Sequence, residues 1–323
     1  MPTGGDSLCF FIELSVTVYF IMLFIMFIKC DYKNLMAAAS GGIMTDSVLA
    51  IKNLKIFSNE NDAVIVDGID IDIKNGESLG IVGESGSGKT LTLRSLIGLI
   101  PEGVHISFDD KTNNDRIAMI FQNPVKALDP LYPVVKQLRE VYLAHHGAED
   151  AHAGRKSIGD RFMRLLAGEG AKNAAGRKKS DKEAECDKWI KSIMQRLSLP
   201  EELLEEDRYP RSLSGGQCQR IGIAMALACE PEVLLCDEPT TALDVTVQKQ
   251  TVELIKELQS EYGFAIVFVT HNLAVASEMC NRIMVLKNGR IVEEGKTSEL
   301  LKDPKDSYTK MLVDSVLTVP ERN

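Results

Sequence analysis

Gly83-Glu84-Ser85-Gly86-Ser87-Gly88-Lys89-Thr90 fits the pattern G-x-x-x-x-G-K-[ST]. It follows Ser78-Leu79-Gly80-Ile81-Val82, a short apolar run that reads as a buried strand, and it precedes a predicted helix from about Lys89 to Leu99. Strand, glycine loop and helix in that order open an α/β unit, the context the pattern requires. Glycines let backbone N–H groups wrap phosphates at a helix N-terminus, Lys89 supplies charge to the β and γ groups, and Thr90 offers a hydroxyl to Mg²⁺. The bland alternative is a glycine turn before a helix, and the flanking strand and helix weigh against it.

Upstream, residues 48–72 read as short strands: Leu49, Ile51 and Leu54, then Val64 to Val66, then Ile69, Ile71 and Ile73 in strict alternation. An antiparallel sheet fits. Downstream, Leu131 to about Arg211 is helical in pattern. It is interrupted by Gly154 to Ser180, a polar basic piece that reads as a solvated linker. Val233 to Cys236 and Ala265 to Val269 are further buried strands, flanked by predicted helices at Gln219 to Ala228 and Val245 to Tyr262. Such alternation implies a parallel sheet covered on both faces.

Two further strings carry chemistry. Val233-Leu234-Leu235-Cys236-Asp237-Glu238 is an apolar strand ending in two acids, at the edge where a parallel sheet meets its ligands. Asp237 suits Mg²⁺ and Glu238 suits an attacking water, although such a pair alone is more often a helix cap. Just ahead stands Leu213-Ser214-Gly215-Gly216-Gln217. A serine and two glycines at a helix start make a second anion-binding terminus, too far along the chain to belong to the first loop.

LSGGQ resembles the signature of ABC ATPases, and the resemblance covers about residues 48–315. It implies that Ser214, Gly215, Gly216 and Gln217 close over the γ-phosphate of ATP held by a partner subunit. Gln122, in Ile120-Phe121-Gln122-Asn123-Pro124, resembles the Q-loop glutamine that touches Mg²⁺ and senses the membrane partner. Asp244 resembles the D-loop aspartate at the dimer seam, and His271, after Phe268-Val269-Thr270, resembles the H-loop histidine at the γ-phosphate. Phe57, 26 residues before Gly83, resembles the aromatic on which adenine stacks, where members often have Tyr; a core residue is the alternative.

The string from Asp237 to Gln248, Phe121-Gln122-Asn123-Pro124 with Leu128-Asp129-Pro130, and Tyr308-Thr309-Lys310 with Leu312 look like the peptide and nickel importer branch. Gly98-Leu99-Ile100-Pro101 resembles the first of its two paired ATPases. Asp306-Ser307 stand where the branch has His-Pro before the tyrosine, and no cysteine follows Cys280, so an iron–sulfur cluster is not expected. The resemblance thus implies an α/β P-loop ABC ATPase domain over 47–315, with an antiparallel β subdomain, a helical subdomain at about 131–213 and a tail at 316–323. It implies ATP and Mg²⁺, a homologous ATPase as dimer partner (the same chain or a related one), transmembrane permease subunits and, indirectly, a solute-binding protein. The expected place is the cytoplasmic face of the inner membrane. Nickel or another solute is an alternative to peptides, because this subunit does not touch cargo. A translation or repair ABC protein would carry two cassettes or long heptad coiled coils, and neither is present.

A net charge of -9 and a pI near 5.2 argue against nucleic acid as a partner. The 7 cysteines lack CxxC or metal-ligand spacing and read as reduced thiols. Residues 1–46 differ from the rest: Leu8 to Ile28 is apolar except for Glu13, long enough to span a bilayer, and Lys29 and Lys33 would keep the remainder of the chain in the cytoplasm. The other reading is an upstream stretch translated in frame. Met44-Thr45-Asp46-Ser47-Val48 looks like a start for this branch, and Gly41-Gly42 codons can spell a ribosome-binding site. The expectation is the internal start.

Overall fold

The computed structural model describes residues 47–112, 116–147, 179–241 and 243–317. The apolar segment Leu8 to Ile28, the Met44 start, nearly all of the basic linker and the end of the tail lie outside them. In chain order the elements are β1 Ser47–Ser58, β2 Val64–Lys74, β3 Ser78–Val82, α1 Lys89–Leu96, β4 Val104–Ser107, β5 Asp110–Thr112, β6 Ile117–Ile120, α2 Pro124–Ala127, α3 Val134–Gly147, α4 Lys179–Arg196, α5 Glu202–Glu205, α6 Gly215–Ala228, β7 Val233–Asp237, α7 Val245–Tyr262, β8 Ala265–Thr270, α8 Leu273–Met279, β9 Arg282–Lys287, β10 Arg290–Lys296, α9 Thr297–Lys302 and α10 Ser307–Leu317. Among the described residues no helix is long and apolar enough to cross a membrane. The described residues divide into two compact units, one of 47–124 and 229–317, the other of 125–147 and 179–228.

The first unit holds two sheets. One is six-stranded in the order β10-β9-β3-β8-β7-β6, parallel except at the β10-β9 edge. Every residue of β3, β7 and β8 is buried. Such strands have both faces covered, which is why they read as apolar runs without alternation. The other sheet is antiparallel, with β1 between β2 and β4 and with β5 also paired to β1. In β2 the alternation is physical: Ile69, Ile71 and Ile73 are buried while Asp70, Asp72 and Lys74 are exposed. Each such isoleucine contributes about 1.5–3 kcal/mol by leaving water.

The second unit is helical. α3 packs against α4 and α6 around Leu138, Val141, Trp189, Ile193 and Ile221, all buried. The Tyr142 and Trp189 rings lie 5.0 Å apart in a tilted pair. Buried Gln137 accepts from Asp129 N–H at 2.9 Å and donates to the Asp129 and Tyr132 carbonyls at 2.9 and 2.7 Å. One side chain thereby satisfies three backbone groups of the loop before α3.

Candidate functional site

Parallel pairing sets the carboxyl ends of four strands along one edge of the sheet. Val82 is in register with Thr270, Asp237 with Val269, and Ile120 with Cys236. The residues just beyond these ends are Gly83, His271, Glu238 and Gln122, so the topology alone gathers four of the sequence-predicted positions.

The glycine loop runs from β3 into α1, the strand-loop-helix order read from the sequence. A Cβ on Gly83 would lie 2.0 Å from the Leu286 carbonyl oxygen of β9, so no larger residue fits without moving that strand. Gly86 (φ +82) and Gly88 (φ +101) are left-handed, and Gly88 is the residue from which α1 begins. Lys89 opens that helix. Its ammonium is buried and donates to the Gly83 and Glu84 carbonyls at 2.9 and 2.8 Å. Burial lowers its pKa from the ordinary 10.5, opposed by Glu238 and Asp237.

Thr90 Oγ1 donates to Asp237 Oδ1 at 2.8 Å. The other oxygen, Oδ2, is buried with no hydrogen-bond partner. Burial raises the Asp237 pKa above 3.8, the Thr90 hydrogen bond and Arg94 pulling the other way. A buried carboxylate oxygen with nothing to satisfy it, beside a hydroxyl at the end of a phosphate loop, is a donor set suited to a hard cation that takes few protein ligands.

Glu238 follows at φ +44, left-handed for a non-glycine residue. Such a conformation costs about 1–3 kcal/mol and persists where the surroundings over-determine it. Here its N–H donates to the Val269 carbonyl at 2.9 Å and its carbonyl accepts from Thr241 N–H at 3.2 Å. The turn aims the carboxylate at a ring of partners. Glu238 Oε2 accepts from Gln122 Nε2 at 3.3 Å and from Thr241 Oγ1 at 2.7 Å, and lies 3.1 Å from His271 Nδ1. Lys89 Nζ is 4.0 Å from Oε1. With the carboxylate ionised, His271 must carry its proton on Nδ1, which leaves Nε2 an acceptor in neutral imidazole.

Thr241 is a member that sequence reasoning passes over. A second is the β9-β10 turn, Asn288 (φ +48) and Gly289 (φ +74), whose Gly289 N–H donates to the Ser87 carbonyl at 3.2 Å and whose carbonyl accepts from Asp67 N–H at 2.8 Å. Asn-Gly between apolar runs is the strongest short hairpin signal, and it was there to be read.

Other predicted positions have local structural work. Asp244 caps α7, its Oδ1 accepting from Thr246 and Val247 N–H at 3.1 and 3.0 Å. In the helical unit Ser214 and Gln217 form a reciprocal capping box: Gln217 N–H donates to Ser214 Oγ at 3.2 Å and Ser214 N–H to Gln217 Oε1 at 2.9 Å. The helix therefore starts at Gly215, four residues earlier than periodicity suggests, with Gly215 and Gly216 in its first turn. Phe57 is half-buried and pairs with His105 across β1 and β4, the rings 5.0 Å apart and 12° from parallel. Phe57 is not among the buried core residues.

Among known proteins, the family model described as ABC transporter matches residues 66–241. The chain is similar to the probable peptide ABC transporter ATP-binding protein y4tR of Sinorhizobium fredii, 35% identical over 84% of this chain and 77% of that protein. It is 34% identical to the dipeptide transport ATP-binding protein DppD of Haemophilus influenzae, over 84% of this chain and 78% of the relative. Of the solved structures, a dimeric ATP-binding cassette, MJ0796, bound to ADP and Pi is 28% identical with a TM-score of 0.54, over 77% of this chain and 98% of the other. CbiO1 of Clostridium perfringens, at 24% identity, shares the fold with a TM-score of 0.58 over 85% of this chain and 97% of its own.

Proposed function

Because this chain belongs to the ABC transporter family, we propose that it is the ATP-hydrolysing subunit that drives uptake of peptides or a chemically related solute. The observation that supports hydrolysis most directly is the convergence of Gln122, Thr241, His271 and Lys89 on the Glu238 carboxylate, beside the phosphate loop. The peptide assignment is supported by the names of the relatives y4tR and DppD.

ATP would lie with its phosphates in the loop from Gly83 to Thr90. Lys89 would exchange the Gly83 and Glu84 carbonyls for β and γ oxygens, a trade of neutral acceptors for charged ones. Mg²⁺ fits the Asp237 and Thr90 oxygens, with Gln122 contributing its side-chain oxygen; when bound it neutralises charge on the β and γ phosphates. Glu238 would orient the attacking water in line and take its proton as ADP leaves. His271, exposed and held by Glu238, would face the γ-phosphate. Phe57 would stack on adenine.

The signature residues Ser214 to Gln217 would serve ATP on a second ATPase subunit, and Asp244 would lie at the seam. In this reading the pair works beneath two permease subunits at the cytoplasmic face of the membrane, fed by a solute-binding protein. The test is Glu238→Gln, which keeps the turn and the metal ligand and removes the base. We expect ATP binding within about twofold of wild type and turnover down by at least about a hundredfold, with a nucleotide-bound dimer accumulating. Turnover near wild type would remove Glu238 from this role.

A further inference from the structure

The last described helix touches the phosphate loop. Tyr308, in the first turn of α10 and buried, accepts a hydrogen bond on its hydroxyl oxygen from Glu84 N–H at 2.9 Å. The Lys287 ammonium of β9 sits 4.6 Å over the centre of the same ring. One residue earlier on β9, the Leu286 carbonyl crosses where a Cβ of Gly83 would be. The start of the loop is therefore gripped twice: Gly83 against β9, and Glu84 by a phenol that β9 itself covers.

Helix α10 is in turn fixed at its entry. Lys305 and Asp306 N–H donate to Glu293 Oε1 and Oε2, each at 2.9 Å, and Tyr308 N–H donates to Asp306 Oδ1 at 2.8 Å. Burial works to raise the Glu293 carboxyl, and the bonds from Lys305 and Asp306 N–H hold it below its usual range. The Tyr308 ring thus belongs to a tethered segment rather than a loose tail.

Lys89 gives this arrangement a purpose. In the structure its ammonium holds the Gly83 and Glu84 carbonyls, and with three N–H donors it has to give up at least one of them to reach β and γ oxygens together. The Glu84 backbone is then held within the loop by Ser87 N–H on its carbonyl at 3.2 Å and, from outside the loop, by the phenol of Tyr308 on its N–H. We propose that Tyr308 is a positioning residue of the phosphate loop, holding Glu84 while Lys89 transfers to the nucleotide, so that helix α10 sets the affinity for ATP. The inference rests on the phosphate-loop assignment and extends it to the far end of the chain.

Tyr308→Phe tests it, since the ring, its packing and the place of Lys287 are kept and only the acceptor goes. With the full chain and ATP as the probe, we expect affinity to fall about three- to tenfold and Glu84 amide exchange to speed up by a similar factor, with α10 amides unchanged. In turnover the loss falls on KM for ATP, kcat staying within about twofold. Glu293→Gln, which slackens the entry to α10 and leaves Tyr308 in place, should move both readouts in the same direction and stands in should Tyr308→Phe not fold. Unchanged ATP affinity, or an affinity loss without faster Glu84 exchange, overturns the proposal. Lys89→Ala separates the two levels: if it abolishes ATP binding while Tyr308→Phe binds as wild type, only the Tyr308 inference falls. If Lys89→Ala itself binds ATP as wild type does, the phosphate-loop assignment falls, and this inference with it.

Discussion

The Thr241 hydroxyl donates to Glu238 Oε2 at 2.7 Å, the shortest of the contacts that orient this carboxylate. The bond runs across three residues, closing the turn that Glu238 opens at φ +44. Thr241→Val keeps the β-branched shape and removes the donor. We predict that kcat falls about tenfold while ATP affinity is unchanged, because one hydrogen bond to a charged group is worth about 1.5 kcal/mol or more. A kcat within twofold of wild type would show that Gln122 and His271 suffice to hold the carboxylate.

Gly83 and Gly86 are both loop glycines, and they should fail differently. A Cβ at Gly83 meets the Leu286 backbone at 2.0 Å, whereas at Gly86 it meets nothing within 4 Å and only the left-handed φ of +82 opposes it. Gly83→Ala is expected to cost about 3 kcal/mol or more of ligand-free stability by displacing β9. Gly86→Ala should cost about 1–2 kcal/mol. Denaturant unfolding of the two variants gives the comparison, and equal losses would refute the packing argument at Gly83.

The raised Asp237 pKa makes a pH prediction. In the folded, metal-free chain the carboxyl keeps its proton above the ordinary value of 3.8, so between that value and its folded pKa the native state binds more protons than the unfolded one. Stability contributed by this group is present below 3.8 and is lost as pH rises through the folded pKa. Measured in EDTA, the stability of wild type minus that of Asp237→Asn should decline through this window, by up to about 1.4 kcal/mol per pH unit, and then level off. A difference that grows with pH would mean that the Thr90 hydrogen bond, not burial, governs the group.

Ser214 is engaged in its own helix cap, which sets what its replacement does. Ser214→Arg removes one half of the capping box and should cost about 1 kcal/mol of stability. We predict unchanged ATP affinity for the isolated chain and loss of hydrolysis in the assembled transporter, since the residue is proposed to serve the partner's nucleotide. Collapse of affinity in the isolated chain would place Ser214 in its own site instead.

Much of the architecture can be read from local chemistry. Helix α7 is predicted and found at Val245–Tyr262 because both ends are signalled, by the Asp244 cap and by Gly263 at φ +74. Helix α1 stops at Leu96, short of Leu99, because Gly98 turns left-handed and Leu99 N–H returns to the Arg94 carbonyl. The start of α6 is missed by periodicity, since glycines carry no pattern, although the S-x-x-Q box announces it. Strands β6, β9 and β10 go unread: β6 is four residues long, and β10 is half-exposed and lacks clean alternation. The phosphate loop and both acids are contiguous in sequence and so legible. Thr241 and Tyr308 act through a backbone turn and a contact 224 residues away from Glu84, and no local pattern encodes either.

Strand order also dictates when this site is born during synthesis. β3, which carries the phosphate loop, is flanked by β8 and β9, and neither exists when β3 emerges from the ribosome. The interval is on the order of 180 residues, so at roughly 5–20 residues per second the loop waits about 10–40 s for neighbours. Throughout that wait a strand built to be wholly buried has both hydrogen-bonding edges open, and the nascent chain is most exposed to mispairing at the segment on which its chemistry depends.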